Sequence, residues 1–507
     1  MRKLIYQMLP RLWGSGEHFT GKFSAVDDAT LSYLKDLGFT DIWCTGILRH
    51  ATQCTSDGCT PSHPQFVKGE AGSPYAINDY YDVNPYLADN SDKRMPEFES
   101  LLKRVHAAGM KFILDFVPNH VARDYHGSMT PAGESRLGEN DDTSVHWSPD
   151  NDFFYYPGEH LRLPVPSDRP FEEYPAKASG NAFTPAPGVN DWYETVKINY
   201  CEFHTPTWDK MLNILLYWAG KGIDGFRCDM VELVPRPFFT WAIAEVKRQY
   251  PDVFFVAEVY EKESYRAYAE EVGFDYLYDK SCFYDHLRAV TEGWASATSL
   301  TWCWQFLGNL QPRMLQFLEN HDEQRIASDF FAGKAKAGLA AFAVDALFST
   351  SPLMVYFGQE AGERGMDNEP FSGVNGRTSI FDWCHPKAIK DLYRYIHGED
   401  SLTRDEKSIL GRYREILSLA TREKAFSEGV TYDLCYCQGS GFDADHHFAW
   451  LRHSSHTTYL VVANFAKQIS TVEVTVPAEA FEWLGMTGPD RTVAIHIPAL
   501  DFRAVKL

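Results

Sequence analysis

The sequence predicts an α/β fold, a barrel or a doubly wound sheet, with one long irregular insertion and a small antiparallel β-domain behind it. Three observations predict this. Over some 400 residues, an amphipathic helix, a glycine and an apolar strand recur as one unit. Residues 121–205 break that rhythm. From about residue 422 the helical pattern gives way to alternating strands.

The unit first appears as "DATLSYLKDLGFTDIWCTGI", turning through Gly38. "MPEFESLLKRVHAAGMKFILDFVPNH" repeats it through Gly109, with Phe98, Leu101, Leu102 and Val105 at helical spacing. "TWDKMLNILLYWAGKGIDGFRCD" repeats it through Gly222. A glycine suits the left-handed residue that closes a helix. Continuous apolar strands suit a parallel sheet buried on both faces. Further strands are expected at 253–260, 313–320 and 352–358. Residues 121–205 are rich in Pro, Gly, Asp and Asn, and so long an irregular stretch is usually functional. "TYLVVANFA", "STVEVTVPA", "RTVAIHIPA" and "DFRAVKL" alternate like strands of an antiparallel sheet.

A formal net charge of −21 argues against nucleic acid or an acidic membrane as partner. No stretch has the length of a membrane span. The start, "MRKLIYQMLPRLWG", is interrupted by Gln7, Pro10 and Arg11 too early for a signal-peptide core, so a cytoplasmic location is expected. Ten scattered cysteines then read as buried small hydrophobes, including the close pairs Cys54/Cys59 and Cys435/Cys437. An aromatic share of 15% suits surfaces that stack sugar rings, and also a large core.

The chemistry gathers at strand ends. In "IDGFRCDMVELV", Arg227 and Asp229 share one face of the strand and Cys228 takes the other, which makes the cysteine a packing residue. "FVAEVY" ends on Glu258, "FLENHDEQR" on Asn320, His321 and Asp322, and "FILDFVPNH" on Asp115, Asn119 and His120. The C-terminal ends of barrel strands hold active sites. One such acid is usually structural; four strands ending this way are harder to explain by core packing. Glycoside hydrolysis needs one carboxylate as nucleophile and one carboxylic acid as proton donor. Arg227 would keep Asp229 ionised, and an apolar setting would keep Glu258 protonated. The rival is metal hydrolysis through His120, His204 and His321, which lack the paired spacing of a helical metal site.

At these residues the chain resembles the alpha-amylase family, glycoside hydrolase family 13. "DFVPNH", "GFRCDMVEL", "FVAEVY" and "FLENHDEQR" resemble its four ordered motifs. "VKINY", "PYAINDYY" and "PLMVYFGQE" resemble three further stretches. The resemblance implies a (β/α)8 TIM barrel in two parts, residues 1–120 and 206–421. It also implies a loop-rich domain inserted after the third strand, residues 121–205, and a C-terminal antiparallel β-sandwich, residues 422–507. It assigns Asp229 as nucleophile, Glu258 as acid/base, and Asp322 to the sugar hydroxyls. Arg227 would support Asp229, His120 and His321 would bind the sugar at the cleaved position, and Tyr75 would stack on it. The implied reaction is retaining hydrolysis of α-1,4-glucosidic bonds in starch, glycogen or maltooligosaccharides. Neopullulanase-like or cyclomaltodextrinase-like hydrolysis, transglycosylation and isomerisation use the same scaffold. The chemistry requires no cofactor.

The sequence leaves the family pattern at Glu232 and Leu233, where many amylases carry Lys-His, and at Lys197, where they often carry an acid. Asn119 matches a family calcium ligand, and the acids of "ENDD" and "SPDND" lie in the insertion, so a structural calcium is compatible with the resemblance.

Overall fold

A computed structural model describes residues 2–15, 21–455 and 457–507. Eight parallel strands form its centre: β1 (Leu4–Met8), β2 (Asp41–Cys44), β3 (Lys111–Phe116), β4 (Gly225–Cys228), β5 (Phe254–Ala257), β6 (Tyr276–Tyr278), β7 (Met314–Leu315) and β8 (Leu353–Tyr356). They run in the order β7-β6-β5-β4-β3-β2-β1-β8. A parallel bridge from Gln316 to Leu353 joins the two ends and closes the barrel. Of the two α/β architectures the apolar strands allow, this is the (β/α)8 barrel.

The expected unit forms for the expected reasons. Helix α1 (Asp28–Leu37) starts where the Asp27 carboxylate accepts the Thr30 N–H. It ends at Gly38, with φ 94°, whose N–H returns to Leu34 and Lys35 carbonyls. Helix α2 (Arg94–Ala107) buries Phe98, Leu101, Leu102 and Val105, the residues at helical spacing. Helix α3 (Pro206–Gly220) begins on proline, whose missing N–H costs nothing in the first turn.

Strand register then sorts side chains by face. Ile5, Trp43, Ile113, Val256, Tyr278, Leu315 and Met354 pack inside the barrel. Phe226 and Cys228 face the helix layer. Arg227 pairs in register with Asp115 on β3 and Val256 on β5, so it points inward.

Two strands of the barrel escaped the sequence reading. β1 looked like a brief apolar patch, and β6 is three residues long, too short to show a period. The strand expected over 313–320 shrinks to Met314–Leu315. Beyond it, Asn320 accepts the N–H groups of Asp322 and Glu323 and folds the chain into a turn.

After β3, the insertion holds only short ladders: His120–Ala122 against Thr195–Lys197, and Tyr155–Tyr156 against Ala176–Lys177. A second long excursion follows β2 and pairs Leu48–His50 with Ile77–Val83. Both excursions reach the C-terminal rim of the barrel. The C-terminal region has a four-stranded antiparallel sheet and a two-stranded one. Leu451, Leu460 and Val462 of the first pack with Val472, Val474 and Ile495 of the second. Short helices at Lys424–Ser427, Cys435–Cys437 and Ala478–Trp483 stand where only strands were expected. Among the described residues, no helix is long and apolar enough to cross a membrane.

Candidate active site

The ends of β4 and β5 meet at one guanidinium. Arg227 Nη1 donates to Asp229 Oδ1 at 2.6 Å, and Nη2 lies 2.7 Å from Glu258 Oε1. Asp115 Oδ1 stands 3.8 Å from Nη1. The Arg227 side chain is enclosed by the rings of Trp43, Tyr75 and Tyr278, each 5.3–5.5 Å from its central carbon. One cation thus serves three carboxyls where little water reaches.

Burial pushes the Asp229 carboxyl above its ordinary range, and the Glu258 charge adds to this; Arg227 opposes them. The ion pair that the sequence suggested is present, yet it does not by itself keep Asp229 ionised. Burial likewise raises Asp115 to about 6, against Arg227, His321 and the Trp43 N–H. Trp43 Nε1 donates to Asp115 Oδ2 at 3.1 Å.

Glu258 has two further partners. The Tyr260 hydroxyl donates to Oε1 at 2.8 Å, and the Met230 N–H donates to Oε2 at 2.8 Å. Met230 has φ 45°, a strained conformation for an unbranched but bulky side chain. That conformation aims its N–H at the acid. Glu232 accepts the N–H groups of Tyr260 and Glu261 at 2.9 and 3.0 Å. The first departure from the family motif therefore holds the turn that carries Tyr260.

Asp322 completes the acids. Its Oδ2 lies 3.0 Å from His321 Nε2, and Tyr75 OH lies 2.7 Å from the same nitrogen. Gln7 Nε2 is 2.8 Å from His321 Nδ1. This contact holds the His321 ring with Nε2 facing Asp322. Burial works against the Asp322 charge, but His321, Arg227 and Arg377 outweigh it and bring the carboxyl down to about 2.

These groups line a cavity of about 250 Å³ at the barrel mouth. Asp229, Glu258, Asp322, Tyr75, His120 and His321 all border it. Burial lowers His120 to about 3, so its ring is neutral, and it packs 5.2 Å from the Trp192 ring. Six of the seven catalytic and sugar-binding residues read from sequence thus border one cavity, and Arg227 lies directly beneath it.

The sequence reading missed other residues of the lining. Lys68, Ser73, Trp192, Glu194, Tyr260 and Phe381 also border the cavity. Lys68 Nζ meets Glu194 Oε2 at 2.9 Å and joins the two excursions. The only signal available was the length of those loops, because their residues approach through tertiary folding alone.

Of the three histidines weighed for a metal, His120 and His321 border the cavity and His204 does not. His204 pairs with Asp209 at 2.9 Å on the surface, beside Trp208 and Trp241, and is absent from the cavity lining. Among the described residues, no group of three or more His, Cys, Asp or Glu side chains is placed to hold a metal ion.

Nor do the residues around Asn119 fit the calcium ion that the resemblance allows. The Lys197 ammonium donates to Asn119 Oδ1 and, at 2.9 Å, to the Leu233 carbonyl. The Asn119 oxygen that would face a cation already faces one. Two acids of the insertion are also engaged: Asp152 takes Lys210 Nζ at 2.5 Å, and Asp141 accepts the N–H groups of Asp152 and Phe153.

Comparison with known proteins agrees with this geometry. Residues 14–409 match the family model "Alpha amylase, catalytic domain". Alpha-amylase 3 of Dictyoglomus thermophilum is 24% identical over 379 residues, covering 70% of this chain and 68% of that protein. Alpha-amylase MalA of Haloarcula japonica is 26% identical over 419 residues, covering 79% and 50%. An alpha-1,4-glucan:maltose-1-phosphate maltosyltransferase of Cereibacter sphaeroides is 25% identical over 285 residues, covering 54% and 34%. The matches span from about a third to about two thirds of these relatives' own length.

Among solved structures, a maltogenic alpha-amylase from Thermotoga neapolitana superposes with TM-score 0.62 at 21% identity, covering 100% of this chain and 96% of that one. The cyclic alpha-maltosyl-(1→6)-maltose hydrolase of Arthrobacter globiformis gives 0.67 at 18%, covering 100% and 98%. These two share the fold. With four strand-end motifs converging on one cavity and a catalytic-domain match over most of its length, this chain belongs to the alpha-amylase family of glycoside hydrolases.

Proposed function

We propose that this protein hydrolyses α-1,4-glucosidic bonds in maltooligosaccharides or related glucans by double displacement with retention. The observation that carries the reading is the Arg227 bridge, with Asp229 at 2.6 Å and Glu258 at 2.7 Å. Acids held on one guanidinium are close neighbours, and retaining enzymes keep their two carboxyls about 5–5.5 Å apart.

Asp229 attacks the anomeric carbon while Glu258 gives its proton to the departing oxygen. A water then enters, Glu258 takes its proton, and the sugar leaves Asp229 by a second inversion. Asp322, held ionised, accepts sugar hydroxyls. His120, neutral, and His321 offer hydrogen bonds to the same ring, and Tyr75 stacks against it.

Transfer to a second sugar is the alternative, because maltosyltransferases stand among the relatives. Product analysis on maltoheptaose, pullulan and cyclodextrin tests both. Shorter α-anomeric products support hydrolysis. Longer chains or new linkages mean transfer, and inverted products would sink the mechanism.

Lys197 carries a further part of this reading: its ammonium does the joining that a calcium ion would do between insertion and barrel.

A further inference from the structure

The close pair Cys54 and Cys59 reads from sequence as two packing residues, but the fold brings their sulfurs to 3.1 Å. The Ser56 hydroxyl lies between them, 3.0 Å from Cys54 Sγ and 3.3 Å from Cys59 Sγ. The intervening loop is built rather than loose. Cys59 N–H donates to the Ser56 carbonyl at 3.0 Å and closes a turn. Gly58 in that turn has φ 74°, and a Cβ there would stand 2.4 Å from Ser91 Cβ. Ser91 Oγ in turn donates to Asp57 Oδ2 at 3.0 Å. Cys54 is buried, while Cys59 is half-buried and reachable.

We propose that Cys54 and Cys59 are a modification site that takes a reversible intramolecular disulfide from a small-molecule disulfide oxidant. The sulfurs must approach by about 1 Å to bond, which side-chain rotation supplies. Cys54 first releases its proton to solvent; Cys59 then passes its own proton to Cys54 along their contact and attacks one sulfur of the oxidant, expelling the first thiolate. That thiolate takes the proton from Cys54. Cys54 then attacks the Cys59 sulfur and expels the second thiolate, which takes up the proton that Cys54 first released to solvent. Two cysteine thiols are oxidised and one disulfide is reduced to two thiols.

The electrostatics support thiolate formation. Hydrogen bonds from Cys59 and Ser56 bring Cys54 down to about 7, against burial and the Glu70 charge. The charges of Lys22 and the pair favour one another; the Cys54 contact and burial push the Cys59 thiol up, with Ser56 and Arg49 opposing, so the resting charge of the pair sits on Cys54.

The link reaches the active-site cavity. Gln53 N–H and the Thr52 hydroxyl donate to the Glu70 carbonyl at 2.9 and 3.1 Å. Lys68, two residues before Glu70, lines the cavity. Closing the pair therefore ties down the segment that carries Lys68.

The test treats the full chain with glutathione disulfide, then counts thiols and maps peptides. Two of the ten thiols should disappear into one linkage between Cys54 and Cys59, and dithiothreitol should restore both. Cys54→Ser should instead trap glutathione on Cys59, because the resolving thiol is gone. Oxidation should also slow proteolysis between residues 54 and 73 several-fold. Ten free thiols in the folded protein, with the unfolded chain oxidised under the same conditions, overturns the proposal. So does a linkage elsewhere, such as between Cys282 and Cys303. Unchanged proteolysis after linkage overturns the coupling to Lys68.

Discussion

At the scale of single residues, one charge organises the site. Arg227 is buried and touches both Asp229 and Glu258, and the Asp229 carboxyl answers to its burial and to Glu258 as well as to that cation. Glu258→Gln keeps the shape and the Met230 N–H bond and, on the proposed mechanism, removes the proton donor. Turnover of maltoheptaose should fall by roughly 10²–10⁴-fold, with the thermal midpoint within a few degrees of the parent; undiminished kcat removes Glu258 from the mechanism. The spacing of Arg227 and Asp229 made their shared face legible in sequence. The rise of Asp229 was not legible, because it comes from burial and from Glu258, which is 29 residues away in the chain. Gln7 shows the same limit. It read as an interruption in an apolar start, and it is the residue that orients His321.

Elements depend on cations and protons placed at their joints. The insertion meets the barrel where Lys197 bonds Asn119 and the Leu233 carbonyl. Lys197→Ala leaves two acceptors without that donor and should cost about 2–4 kcal/mol, read by urea denaturation. Chelation with EDTA should leave the parent's midpoint unchanged; a large drop would restore a metal to this joint. Asp279 ties β6 to β7 by accepting Gln316 Nε2 at 2.6 Å, and also accepts the Phe283 N–H. Burial raises its carboxyl from 3.8 to about 7, against those hydrogen bonds. The folded state thus holds this proton more tightly than the unfolded chain. Its contribution is full below pH 4 and is lost as pH rises through 7, a difference of about 4 kcal/mol. Asp279→Asn should flatten the fall in stability between pH 4.5 and 7.5; parallel curves for parent and variant would refute the assignment.

The whole molecule is held together by a second buried guanidinium. Arg452, on the C-terminal strand His447–Ser454, donates to the carbonyls of Ala425, Phe348, Phe426 and Gly429 and to the Thr431 hydroxyl. Trp450 donates to the Leu347 carbonyl, and Phe348 packs against Phe448 and Trp450. Arg452→Met recovers some desolvation but strands several acceptors, so we expect a loss on the order of 2–4 kcal/mol. Limited proteolysis near residues 422–430 should quicken before activity falls. Equal rates for parent and variant would show that the C-terminal sheet docks without this residue.

The repeated unit, the strand-end acids and the antiparallel tail were readable from the sequence because each rests on local periodicity. Helical spacing, a closing glycine and side-chain alternation are properties of short windows. They placed Asp229, Glu258, Asp322, Tyr75, His120 and His321 at strand ends and loops before any contact was known. Only the tertiary structure decided what depends on approach between distant segments. It set Lys197 on Asn119, brought Lys68 to Glu194 across the cavity, and closed Cys54 onto Cys59. Those outcomes are set by burial, charge and distance, which a linear spacing does not encode.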